Sequence, residues 1–181
     1  MRSSAEEADR LGRLAEDLLL IARSDQGKLP LRPERLAVPE LFASVVNRFS
    51  WRAQEAERPL VAEAPRKLRL VGDRLRLEQA LGNLVDNALR YGAGAVTLTG
   101  VSADGSVELH VTDEGEGFPA GFLVRAFERF GRPDEARGRA GAGLGLSIVA
   151  AIAQAHDGSA HAANGEEAGA DVWLTLPGEQ G

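Results

Sequence analysis

The chain contains no cysteine in its 181 residues. That excludes a disulfide framework and any thiolate metal site. Aromatic residues make up only 5%, so Leu, Val and Ala must fill whatever core forms. No apolar run approaches the roughly 18 residues needed to span a bilayer, and the stretch from Met1 to Asp9 is polar and acidic, unlike a secretory signal. Positive charge is also scarce, 21 Lys and Arg against 27 Asp and Glu, giving a net charge of -6 and a pI of about 5.2. A non-specific nucleic-acid surface needs a concentrated basic face, so no nucleic-acid partner is expected. These absences together predict a cytoplasmic domain with no membrane segment of its own.

The length suits one ordinary domain with a short appendage, and 44% hydrophobic residues suffice for its core. The stretch from Asp73 to Gly92, DRLRLEQALGNLVDNALRYG, organises the rest. At about 100° per residue, Leu77, Leu81, Leu84 and Ala88 form one apolar stripe, with Asp73 placed to cap the helix start. A second stripe is polar: Asn83, Asn87, Arg90 and Tyr91 offer amides, a guanidinium and an aromatic ring, all ligand-binding groups.

Upstream, the spacing predicts a helix over Ser4 to Arg23, with Leu11, Leu14, Leu18 and Ile21 at heptad a and d positions. The run is too short for an independent coiled coil, so it packs on partner helices or on its own domain. Lys28 to Ala37 reads as an extended linker, and Val38 to Glu57 as a helix through Leu41, Val45, Phe49 and Arg52, with Trp51 adding bulk. Leu60 to Ala64 and Lys67 to Val71 read as short strands.

After Gly92 the period changes from 3.6 to 2. Ala95 to Val101 and Val107 to Thr112 form an antiparallel hairpin around the turn pair Asp104-Gly105. Pro119 to Phe130 is predicted helical, Gly131 to Gly141 a mobile loop, and Leu144 to His156 a helix. A strand pair follows at Ala160 to Ala163 and Asp171 to Leu176. Hairpins with helices between them indicate an α+β fold, a two-layer α/β sandwich with a mixed, mainly antiparallel sheet covered by helices on one face and preceded by an N-terminal helix.

Two glycine-rich stretches carry chemistry. In DEGEGFP, Asp113 can accept hydrogen bonds from an exocyclic amine, and Gly115 and Gly117 let the backbone approach a flat base; a tight turn would explain the same residues. In GAGLGLS, Gly141, Gly143 and Gly145 precede a helix whose N-terminal N–H groups suit a phosphate chain; a flexible linker is the alternative, opposed by the apolar helix that follows at once.

The order of these stretches resembles the ATP-binding domain of sensor histidine kinases: NLVDNALRY resembles the N box, DEGEGFP the G1 box, FERF (Phe127 to Phe130) the F box, and GAGLGLS the G2 box. The N-terminal helix, with its Leu-Leu-x-x-Ala-Arg-x-Asp ending, resembles the second helix of the dimerisation hairpin. The resemblance implies three parts: a partial hairpin over 1–27, a linker over 28–37 and an ATP-binding catalytic domain over 38–178. It implies ATP and Mg2+ as cofactors, with Asn83 and Asn87 as the catalytic pair and Asn87 the metal ligand. Arg90 would touch phosphate, Tyr91 would pack near adenine, and Asp113 with Gly115 and Gly117 would read it. Gly141, Gly143, Leu144, Gly145 and Leu146 would wrap the triphosphate, with Arg137 and Arg139 either further contacts or solvated charges of the loop. The F-box aromatics would pack in the core and anchor a lid.

In the hydrolysing relatives of that fold a glutamate lies four residues before the magnesium asparagine; here the position is Asn83, an amide that cannot take a proton. Phosphoryl transfer to a histidine suits this better than hydrolysis. None of His110, His156 and His161 has the family's acceptor context, so the chain reads as a truncated kinase. Implied partners are the acceptor-histidine hairpin, a cognate response regulator and a second copy bound through the N-terminal helix, with the parent kinase able to be membrane-anchored. A serine kinase of the anti-sigma type, or a degenerate, non-enzymatic ATP-binding regulator, would share the boxes.

Overall fold

The computed structural model describes residues 4–131, 142–165 and 168–179. In chain order the elements are α1 (Ser4–Asp25), β1 (Glu34–Ala37), α2 (Val38–Glu55), β2 (Leu60–Glu63), β3 (Arg69–Gly72), α3 (Arg74–Tyr91), β4 (Val96–Ala103), β5 (Ser106–Thr112), α4 (Gly145–Ala155), β6 (Ser159–Asn164) and β7 (Ala170–Pro177). Five strands form one sheet in the order β2-β4-β5-β7-β6, with β2 parallel to β4 and the other neighbours antiparallel. This is the expected mixed, mainly antiparallel sheet.

One face of the sheet is buried because apolar residues recur at every second position. Val96 and Leu98 on β4, Val107, Leu109 and Val111 on β5, and Val172, Leu174 and Leu176 on β7 all point inward. They meet the apolar stripes of α2, α3 and α4, where Leu41, Val45, Leu77, Leu81, Leu84, Ile148 and Ile152 lie in the same core. The Asp73 carboxylate caps α3 by accepting from the Arg76 N–H at 3.0 Å. The hairpin turns at Asp104 and Gly105, both at positive φ, as a two-residue hairpin loop requires.

Four expectations need correction. Pro119 to Phe130 is no α-helix: apart from the 3-10 turn Leu123–Arg125, it is a succession of turns closed by i to i+3 hydrogen bonds. Gly121 at φ +78 and Phe130 at φ +59 interrupt any longer helix. The stretch read as linker contains β1, which pairs antiparallel with β3 in a separate two-stranded sheet, a pairing invisible without the distant partner. Trp51 adds no bulk to the core, being 68% exposed. Of the F-box aromatics, Phe127 packs partly against the core but Phe130 is exposed.

The N-terminal heptad divides between the two fates foreseen for it. Leu20 and Ile21 are buried, Ile21 to 2% exposure, where α1 packs on α4, and the Ser24 hydroxyl donates to the Ala151 carbonyl at 2.9 Å. Asp25 pairs with Arg129. Leu11 and Leu18 remain exposed, as does Leu19. Ile21 therefore belongs to the domain core, not to a free seam. Of the segment expected to be a mobile loop, only Gly131 lies within the described residues.

Candidate active site

Helix α3 presents Asn83, Asn87, Arg90 and Tyr91 to a cavity of about 600 Å3. The opposite wall is the turn after β5, Asp113 to Pro119, and the end near α4 is closed by Gly143 to Leu146. Stretches far apart in sequence thus meet around one space: Asn83, Asn87, Arg90, Tyr91, Asp113, Gly115, Gly117, Gly143, Leu144, Gly145 and Leu146 all line it. Arg137, Arg139 and Gly141 lie outside the described residues.

The base end is closely fitted. Asp113 Oδ1 accepts from the Gly115 N–H at 2.7 Å, which leaves Oδ2 as the oxygen for an outside donor. A Cβ on Gly92 would sit 2.7 Å from that Oδ2, and one on Gly115 would lie 2.9 Å from the Ala93 nitrogen. Both glycines are needed for close approach, Gly92 to the Asp113 carboxylate and Gly115 to the Gly92–Ala93 backbone, not for an unusual φ. Gly117 does take a positive φ, +76, and its neighbour Phe118 is clasped by Asn164, which accepts from the Phe118 N–H at 2.7 Å and donates to its carbonyl at 3.1 Å. Asn164 was not foreseen, because its role depends on β6 reaching the turn 46 residues upstream.

The other end offers donors suited to an anion. Helix α4 follows Leu144, whose side chain makes no capping bond, and the first N–H groups of a helix suit an anion. Asn83 Nδ2 is buried and is the one such side-chain atom without a hydrogen-bond partner among the described residues. A buried amide donor left unpaired is costly, and a phosphate oxygen would satisfy it. The Asn87 amide lies beside the same helix start, 3.6 Å from where a Cβ on Gly145 would be. Arg90 lines the cavity while its Nε holds Asp86 at 3.0 Å, and Asp86 also pairs with Arg52.

One lining residue was missed entirely. Asp17 reaches the cavity from α1, and burial, then the nearby Glu16 charge, pushes its pKa up. Its sequence signal was hidden in a helix read only for its leucines.

These residues fit a nucleotide: a carboxylate oxygen for an amine, close-approach glycines for a flat base, and uncapped amides for phosphates. They also fit Mg2+ in a limited way. An ion of this kind takes few protein ligands together with substrate phosphates, and the Asn87 amide oxygen, which lines the cavity, is a hard donor of the type it accepts.

Comparison with known proteins agrees with this geometry. Residues 72–180 match the family model described as histidine kinase-, DNA gyrase B-, and HSP90-like ATPase. The chain is 39% identical over 177 residues to the probable sensor histidine kinase HK of Mycobacterium tuberculosis, covering 98% of this chain and 46% of that protein. It is 34% identical over 175 residues to the sensor-like histidine kinase SenX3 of the same species, covering 94% and 43%. The chain thus spans less than half the length of either relative. The crystal structure of full-length ShkA in complex with AMPPNP superposes with a TM-score of 0.86 at 30% identity, covering 97% of this chain and 37% of that one. With its sheet, its cavity and this match in agreement, the chain belongs to the histidine kinase-, DNA gyrase B- and HSP90-like ATPase family, as an ATP-binding catalytic domain of the sensor histidine kinase kind.

Proposed function

We propose that this domain serves a sensor histidine kinase by delivering the γ-phosphoryl group of ATP to a histidine other than His110, His156 and His161. The observation that carries the reading is the meeting of Asn83, Asn87, Asp113 and the uncapped start of α4 around one cavity. In this reading Asp113 Oδ2 accepts the adenine amine and Tyr91 packs beside the base. The N–H groups of Gly143 to Leu146 receive the triphosphate and Arg90 supports it. Asn87 Oδ1 would hold Mg2+, which when bound neutralises phosphate charge.

Asn83 carries no basic group, so water gains no proton acceptor there. An incoming neutral imidazole needs none at the attacking atom: its nitrogen lone pair forms the P–N bond and the bond to the β,γ-bridging oxygen breaks. ADP leaves with that electron pair, and the proton on the other ring nitrogen passes to solvent. The three histidines present are otherwise engaged. His156 donates from Nδ1 to the Ile152 carbonyl and accepts the Asp73 N–H on Nε2. His110 lies between Asp171 and Glu108, and His161 Nε2 meets the Ser159 hydroxyl.

The partners of this reading are an acceptor-histidine hairpin, a response regulator and a second copy meeting α1 through exposed Leu11, Leu18 and Leu19. Incubation with γ-labelled ATP tests it. Acid-labile label is expected on a separately supplied acceptor hairpin and not on this chain, with phosphate release far below the about 10 per second typical of enzymes. Label on this chain alone, or fast acceptor-independent release, would overturn the reading.

A further inference from the structure

Arg58 lies between α2 and β2 and is not among the residues lining the cavity. Its guanidinium donates to four main-chain carbonyls: Nε to Gly94 at 2.7 Å, Nη1 to Ala88 at 2.7 Å and Gly92 at 3.2 Å, and Nη2 to Ala93 at 2.7 Å. The carbonyls at a helix end lack partners within the helix, and a cation there also suits the helix dipole. That much would make Arg58 a cap for α3.

The carbonyls it holds do more than end a helix. The Ala93 oxygen also accepts the Glu114 N–H at 2.9 Å, and the Glu114 carboxylate accepts the Ala95 N–H at 3.0 Å. One oxygen is therefore shared between Arg58 and the turn that carries Asp113. Gly92 rests directly on the Asp113 carboxylate and Gly115 on the Ala93 nitrogen, so any displacement of Gly92 to Gly94 displaces the Asp113 oxygens. A planar guanidinium with its donors in a fixed fork sets the height of that loop.

We propose that Arg58 is a positioning residue for purine recognition, holding Gly92 to Gly94 so that Asp113 Oδ2 meets a 6-amino group and rejects a 6-oxo group. The inference rests on Asp113 being the base acceptor. A carboxylate oxygen attracts an N–H donor and repels a carbonyl oxygen at the same place, so discrimination depends on its position more steeply than overall binding does.

The test is calorimetric affinity for ATP and for ITP, which carries oxygen at purine position 6, in the wild type, Arg58→Gln and Arg58→Lys. Arg58→Gln should weaken ATP by roughly tenfold, the scale of one hydrogen bond to a charged group, and change ITP by less than roughly twofold. Arg58→Lys should fall between, since an ammonium donates from one point. Gly92→Ala, which wedges the same loop, should lose the same preference. An unchanged ATP-to-ITP ratio in Arg58→Gln, whatever its melting temperature, would reduce Arg58 to a helix cap and overturn the proposal; if that variant fails to fold, the ratio in Arg58→Lys decides in the same way. Failure of the wild type to bind ATP would overturn the nucleotide reading as well, which separates the two.

Discussion

At the base end of the cleft, the turns Gly92 to Ala95 and Asp113 to Gly117 hold one another through Ala93 and Glu114, Arg58 fixes the first, Asn164 clasps Phe118 just after the second, and Gly169 adds an N–H bond to the Gly115 carbonyl at 2.6 Å. At the phosphate end, α4 begins without a side-chain cap and Asn83 Nδ2 has no partner among the described residues. The first end is assembled before any ligand arrives, so a base meets groups whose ordering cost is already met. The second end presents donors that an anion would satisfy. Selectivity is therefore expected to reside where the protein is self-satisfied, and affinity for charge where it is not.

The comparison is broken most directly at Asp113. Asp113→Ala should weaken ATP, ADP and adenosine alike, by roughly ten- to a hundredfold, because the lost hydrogen bond involves a charged group. Adenosine binding that survives intact in calorimetry would place base recognition elsewhere. Next in size, Asn87→Ala should lower ATP affinity roughly tenfold in magnesium while leaving adenosine, and ATP with a chelator, as they were; equal losses in all three would show that the ends are not separable.

A smaller effect of opposite sign is expected at Asp17. Its carboxylate lines the cavity proposed to take the triphosphate, so Asp17→Asn should tighten magnesium-free ATP by roughly threefold through relief of like-charge repulsion, with adenosine unmoved. Weaker ATP binding in that titration would instead make Asp17 a contributor to the site.

Smallest at either end is the effect of the sheet's outer face, which serves as the control. The hydrogen bond to Asp171 raises the His110 pKa above its ordinary 6.5; burial opposes this, and the Asp171 and Glu108 charges add to it. The protonated form is thus favoured by folding, and its stabilisation is fully present below 6.5 and fades as pH climbs through the raised folded value. The melting-temperature gap between wild type and His110→Gln should be wider at about pH 5.5 than at about pH 8.5, with ATP affinity alike in both proteins. A gap independent of pH would remove the charge from the account.

What the sequence displays is what periodicity and local chemistry can encode. The stripes of α3, the Asp73 cap and the hairpin at Asp104-Gly105 could be read because their causes lie within a few residues. The two glycine-rich stretches marked candidate walls of the cleft, although their meeting is a property of the fold. Residues whose partners lie far away in the chain were not legible. Arg58 reaches carbonyls 30 to 36 positions away, Asn164 clasps a turn 46 positions away, and β1 exists only by pairing with β3. Pro119 to Phe130, predicted helical, instead breaks at Gly121 and Phe130, both at positive φ.

On the solvent side of the sheet, Trp173 is stacked between His110 and His161, with ring centroids 5.2 and 5.1 Å away. The second tryptophan, Trp51, stands in water. A protonated imidazole quenches indole emission by drawing off the excited electron, whereas a neutral one does so weakly. The protein therefore carries a native optical probe of its outer face: acidification should dim the Trp173 component of its fluorescence while the red-shifted glow of Trp51 persists, reporting protonation beside Trp173 without any label.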